Sequence, residues 1–193
     1  MLTRYKDFLA YLDSKLEKMF ESQKAFIKCQ KGCSYCCTEG EFPMSVLEFV
    51  NMMFCFESLS EDTKTKIQKN IDELLSKPKP KFYQCPFLIE GVCSIYPERP
   101  IICRTFGLIW FEKDRKKIPF CVDKGLNYSN VFDQSTDKIV KNAPDGTEPL
   151  AFNISREALR SKKYEKEFDI YFGDDKTLYD FLKEGGVNVF SLY

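Results

Sequence analysis

The chain has 193 residues, with Lys+Arg and Asp+Glu equal at 29 each and 44% hydrophobic residues. A chain of this size buries a core without disulfides, and its interspersed, balanced charge gives no global field to favour nucleic acid or an anionic membrane. Histidine is absent, which excludes Ser/His and Cys/His catalytic pairs and argues against open zinc sites of the hydrolase kind.

The N-terminal residues Leu2, Tyr5, Phe8, Leu9, Leu12, Leu16, Met19 and Phe20 recur at helical spacing. They predict an amphipathic helix beginning near Thr3 and leading to Cys29. This segment is charged and lacks the apolar run and cleavage site of a signal peptide. No stretch approaches the roughly 18 apolar residues of a membrane helix. The expected location is therefore the cytoplasm, where structural disulfides are rare and the sequons at Asn127 and Asn153 carry no weight.

Gly32 permits a tight turn between Cys29 and Cys33. Beyond Pro43, the residues Val46, Leu47, Val50, Met53 and Phe54 predict a second helix. Ser60, followed by Glu61 and Asp62, predicts the start of a third, because an oxygen cap and two acids suit the positive end of the helix dipole. Ile67, Ile71, Leu74 and Leu75 form its buried face. The run Lys77-Pro78-Lys79-Pro80-Lys81 then reads as extended and exposed.

Between 82 and 121 the helical period disappears, and Pro86, Gly91, Pro97 and Pro100 punctuate short apolar runs. Residues 105–111 and 118–122 read as short strands joined by the basic turn Lys113-Asp114-Arg115-Lys116. That turn reads as a solvated hairpin tip rather than a nucleic-acid contact, and Trp110 reads as core. Further on, Pro144-Asp145-Gly146 is a turn and 155–168 is helical. Asp174 or Asp175 caps a final helix carrying Leu178, Phe181 and Leu182, which ends at Gly185-Gly186. Residues 187–193 read as a closing strand. The architecture expected is α+β: a mostly helical single domain over 1–193, with an irregular cysteine-rich metal core at 29–121, a few short strands, and a C-terminal extension at 124–193 packed on the core.

Nine cysteines dominate the chemistry. Cys29, Cys33, Cys36 and Cys37 fall within nine residues, and Cys85, Cys93, Cys103 and Cys121 follow downstream. Thiolates are strong ligands for zinc and iron. Pairs spaced by two or three residues let a short loop turn both sulfurs to within about 2.3 Å of zinc. Adjacent side chains diverge, so Cys36 and Cys37 either serve different metals or divide between metal binding and packing. Eight thiolates supply two four-cysteine sites, or a zinc site and an iron–sulfur cluster. Cys is also a common buried hydrophobe. That reading is preferred for Cys55, in the apolar run Met52-Met53-Phe54-Cys55-Phe56. A dithiol relay through Cys33 and Cys36 lacks the βαβ context of thioredoxin-like proteins.

These residues resemble the YkgJ-type cysteine-cluster family, the CxxCxxCC zinc- or iron-chelating domain. The resemblance rests on Cys29/Cys33/Cys36-Cys37, Cys85-Pro86-Phe87-Leu88, Cys93-Ser94-Ile95-Tyr96, Arg99-Pro100 and Cys103-Arg104-Thr105-Phe106. One departure is the spacing of three residues, rather than two, between the first two cysteines. The resemblance implies a cysteine-ligated metal core. Flagellin lysine N-methylases have a similar cysteine pattern, so an enzyme using S-adenosylmethionine is the alternative, alongside a zinc-stabilised module that binds a protein partner.

Arg99 and Arg104 flank Cys103. Either they donate hydrogen bonds toward an anionic metal–thiolate group, or they pair with an acid such as Glu98, or they meet a substrate. Tyr96 either bonds to a sulfur or packs. The expected ligands are zinc or iron, the latter including a 4Fe–4S cluster.

Overall fold

A computed structural model describes residues 1–30, 32–41, 43–112, 115–151 and 159–185. The described helices are α1 (Leu2–Ser22), α2 (Tyr35–Thr38), α3 (Val46–Glu57), α4 (Glu61–Leu75), α5 (Ile101–Thr105), α6 (Lys162–Phe168) and α7 (Leu178–Lys183). Two 3-10 turns span Tyr96–Glu98 and Phe120–Lys124. Among the described residues, eight short strands form four two-stranded antiparallel sheets. They are β1 (Pro43–Ser45) with β8 (Asp175–Thr177), β2 (Leu88–Ile89) with β3 (Val92–Cys93), β4 (Trp110–Glu112) with β5 (Arg115–Lys117), and β6 (Phe132–Asp133) with β7 (Lys138–Ile139). The fold is mixed α+β, with helix predominating. The chain divides into two compact units, one built from 3–31 and 104–170, the other from 32–103 and the segment beginning at Tyr171.

In the first unit, α1 buries Tyr5, Phe8, Leu9, Leu12 and Leu16, the stripe that its helical period predicts. Phe8 meets Tyr164 and Phe168 of α6 at ring-centroid distances of 5.7 and 5.4 Å. A second apolar cluster gathers Phe26, Ile109, Tyr128, Val131 and Ala143, with Phe26 stacked on Tyr128 at 5.4 Å. The sequence places strands at 105–111 and 118–122, and the structure moves both. Only Trp110–Glu112 is extended in the first, and its partner is Arg115–Lys117. Residues 120–124 instead turn as a 3-10 helix after Pro119, which has no N–H to offer a ladder. Trp110 is half-buried, and the deep position beside it belongs to Ile109. Of the helix expected at 155–168, α6 covers the last seven residues, while 155–158 lie outside the described residues.

In the second unit, α3, α4 and α7 enclose a cluster of Phe49, Met52, Met53, Phe56, Ile67, Ile71, Phe87, Ile95, Leu178, Phe181 and Leu182. Phe49 stacks on Phe181 at 4.5 Å. Burying such rings is worth about 1.5–3 kcal/mol each. Ser60 caps α4 by accepting from the Thr63 N–H at 3.3 Å. Phe54, placed on the buried face of the second helix by its period, points outward instead at 52% exposure. The final helix is capped by Thr177, not by Asp174 or Asp175. Asp175 is committed to pairing with Ser45 across β1 and β8, which pushes the helix start beyond it. Lys79, in the Lys/Pro run, reaches back to Glu41 at 3.0 Å and Asp180 at 2.9 Å. The strand expected at 187–193 lies outside the described residues. Among the described residues, no helix is long and apolar enough to cross a membrane.

Candidate metal centre

The second unit holds six of the eight candidate ligands, Cys33, Cys36, Cys37, Cys85, Cys93 and Cys103, while Cys29 and Cys121 belong to the first. Among the described residues, no disulfide joins any of the nine cysteines. Cys29 and Cys33 are exposed and Cys121 is buried, whereas Cys36, Cys37, Cys55, Cys85, Cys93 and Cys103 are partly buried.

Short-range backbone structure sets most of these positions in the second unit. Gly32 adopts φ +95°, the left-handed region that glycine enters without strain, and turns the chain before Cys33. Cys36 and Cys37 sit in the single turn α2, with their sulfurs 4.0 Å apart. The Cys85 N–H donates to the Cys37 carbonyl at 2.7 Å, which joins the early and late halves of the cysteine pattern. Beyond Cys85, Glu90 and Gly91 both take positive φ (52° and 79°), making a tight hairpin turn. That turn sets Cys93 opposite Leu88. The Ser94 N–H and hydroxyl both donate to the Phe87 carbonyl, at 2.9 and 2.6 Å, and brace the hairpin. Cys103 rides on α5.

Burial and neighbouring groups shift four of these thiols, and Cys37 contributes to the rise of the other three. Burial pushes the Cys85 thiol up from its ordinary 9.0 to about 12, and Cys37 and Cys93 add to the rise, against a backbone N–H at Phe87 that lowers it. Burial also raises Cys103 well above its usual range, with Cys85, Cys37, Cys93 and Glu48 contributing. Cys93 is raised by burial, with Cys37 and Cys55 adding to the rise and the Arg99 charge and a backbone bond at Ile95 opposing it. Cys37 moves the other way, to about 7, because a hydrogen bond from Cys36 stabilises its thiolate against the opposing effect of burial. Cys55 packs against the apolar cluster of the second unit, as do Cys85 and Cys93.

The three residues flanking the thiols are disposed differently. Arg99 lays its guanidinium 3.9 Å from the centre of the Tyr96 ring and donates to the Tyr96 carbonyl at 2.8 Å. Tyr96 is 56% exposed and serves as the platform for that stack. Arg104 is buried and pairs with Asp13 of α1. Glu98, a suggested acid partner for these arginines, accepts from Asn51 Nδ2 at 2.8 Å.

Two polar residues near the cysteines escape a reading based on ligand types. Asn127 is fully buried, its Oδ1 accepting from the N–H groups of Lys28 and Cys29 at 2.9 and 2.8 Å, while its Nδ2 donates to the Gly107 carbonyl at 2.9 Å. Nothing local in the sequence marks it for that role. Glu48 is likewise buried, and its carboxylate accepts from Ser45 N, Ser45 Oγ and Ile101 N at 2.8, 2.7 and 2.9 Å. The Ser45-x-x-Glu48 spacing is a capping-box signature legible in sequence, but the reach to Ile101 is not.

Among the described residues, no three Cys, Asp or Glu side chains stand together in ligating geometry. The donor set nonetheless suits a soft or borderline cation. Thiols whose ionisation is opposed by burial become favourable ligands once a positive charge shares their site.

Fold and thiols together define a cysteine-rich α+β protein. Residues 28–122 match the model of the CxxCxxCC family, described as a "Putative zinc- or iron-chelating domain", and over that segment the chain is similar to this family. No curated protein and no solved structure matches the chain.

Proposed function

We propose that this protein binds zinc or iron through cysteine thiolates in a reducing compartment, the cytosol, and that this binding is the basis of its role. Cys37, Cys85, Cys93 and Cys103 are the central ligands, and Cys29, Cys33, Cys36 and Cys121 complete the candidate set. The observation supporting this reading is the Cys37–Cys85 backbone bond, which joins the segments carrying the two halves of the cysteine pattern, with Cys37 adding to the raised values of Cys85, Cys93 and Cys103.

The residues have separable tasks. Cys37, whose thiolate Cys36 stabilises so that it titrates near 7, would be the first of the four to offer a thiolate to a cation. Cys85, Cys93 and Cys103 keep their protons until a cation compensates their charge, so binding releases protons. Arg99 offsets part of the negative charge near Cys93. Bound zinc supplies a closed structural crosslink, and an iron–sulfur cluster adds a one-electron couple.

Metal and sulfide analysis of protein purified without oxygen tests the proposal. Colourless protein with stoichiometric zinc, or brown protein with iron and labile sulfide, supports it. Protein that holds neither, and that fails to take up zinc or iron when reconstituted, overturns it.

A further inference from the structure

One face of α3 follows the thiol-bearing segment that ends in α5. Glu48, Asn51 and Cys55 stand at i, i+3 and i+7, which places them along one side of a helix. Glu48 Oε1 accepts from the Ile101 N–H, the first amide of α5, at 2.9 Å. Asn51 donates to Glu98 in the 3-10 turn just before it. Cys103 lies two residues after Ile101, on the same short helix. A helix of five residues has almost no stability of its own, so its position is set by what holds its first turn.

We propose that Glu48 is a positioning residue for the metal centre: by holding the Ile101 amide, its buried carboxylate sets where Cys103 presents its sulfur. The inference rests on the thiolate–metal reading above and goes beyond it, because Glu48 is neither a cysteine nor a ligand. The same carboxylate closes the Ser45 cap of α3, so a single side chain fixes both the start of α3 and the start of α5. Its two oxygens divide the work. Oε2 takes the Ser45 bonds and Oε1 takes the Ile101 bond. Substitutions therefore separate cap from positioning.

The test uses the full chain, loaded with cobalt(II) and with zinc by competition against a chelator. Glu48→Ala removes the acceptor for Ile101, and Glu48→Asp keeps the charge but withdraws it by one methylene. Both are expected to weaken metal binding about 10-fold or more and to lower the intensity of the sulfur-to-cobalt charge-transfer band. Glu48→Gln retains an oxygen for the Ile101 amide and is expected to restore both readouts. Ser45→Ala removes the hydroxyl's bonds to the Glu48 amide and Oε2 but leaves the Ser45 N–H on Oε2 and the Ile101 N–H on Oε1, and should lower the melting temperature while leaving affinity and cobalt spectrum as in the parent.

If Glu48→Ala and Glu48→Asp bind like the parent, the proposal is overturned and the metal reading stands. It is also overturned if Ser45→Ala weakens binding as much as they do, since helix stability alone would then explain the loss. Should Glu48→Ala fail to fold, Glu48→Asp against Ser45→Ala decides the matter. A parent protein that binds neither metal overturns the metal reading and this proposal with it.

Discussion

The Cys85 N–H donates to the Cys37 carbonyl at 2.7 Å. This bond spans 48 positions of sequence and ties the vicinal cysteine pair to the loop that begins the second half of the motif. It uses main-chain atoms and leaves the sulfurs of both residues out of the link. Cys85→Ser and Cys37→Ser should therefore keep this link and lose only a thiol. Each is expected to lower metal stoichiometry measured by elemental analysis, as is Cys36→Ser. Cys55→Ser should leave stoichiometry unchanged. Loss of metal from Cys55→Ser equal to that from Cys37→Ser would show the ligand assignment to be wrong.

Metal-free protein should show a stability maximum in mildly alkaline solution. The folded value of Cys37 lies near 7, below the ordinary 9.0, so the unfolded chain holds more protons between those limits. Its contribution is present above about 9 and is lost as pH falls through about 7. Cys85, Cys93 and Cys103 are raised. Their contribution is intact below about 9 and is lost as pH rises toward 12, where Cys85 ionises in the folded state. Thermal melts of the chelator-treated protein across this range check both limbs, and Cys37→Ser should flatten the lower one.

Metal removal should lower stability, by less as pH falls, because binding releases protons from the thiols. A ligand that binds only the folded chain stabilises by mass action, about 2.7 kcal/mol at a free concentration 100 times its dissociation constant. Melting curves with and without chelator measure the difference. Equal curves for loaded and stripped protein would show that the metal does not bind the folded state preferentially.

Asn127 should prove as costly to remove as a core aromatic. Asn127→Ala strands the N–H groups of Lys28 and Cys29 and the Gly107 carbonyl. Each buried group left unpaired costs about 1–3 kcal/mol. Gly107 offers a second route to the same site. It has φ +100°, and a Cβ there would stand 2.6 Å from Asn127 Nδ2. Gly107→Ala should destabilise by about 1–3 kcal/mol. Denaturant titration checks both, and a change under about 0.5 kcal/mol, typical of a neutral surface site, would contradict this account.

Arg104 pairs with Asp13 from an almost wholly buried position, whereas the Asp13 side chain is half exposed. Asp13→Ala leaves a guanidinium buried and less well paired, with an expected loss of about 1.5–3 kcal/mol. Arg104→Lys should not rescue the site, because an ammonium does not reproduce the planar fork of the guanidinium. Both losses are to be read as midpoint shifts in urea.

The sequence alone determined what depends on neighbours along the chain. The stripe of α1, the Ser60 cap of α4 and the tight turn at Gly32 follow from helical period, a side-chain oxygen and a missing Cβ, each acting over a few residues. The cysteine pattern was legible for the same reason, since ligand type and spacing are properties of the chain. Other features were decided only by tertiary structure. The sequence could not say that Phe54 turns outward, or that Thr177 displaces Asp174 and Asp175 as a cap because Asp175 is paired with Ser45. Nor could it show that the Cys85 N–H reaches the Cys37 carbonyl, or that Glu48 reaches Ile101. Burial and Coulomb interaction depend on distances in space. Those distances are set when segments far apart in sequence pack together, and no local pattern encodes them.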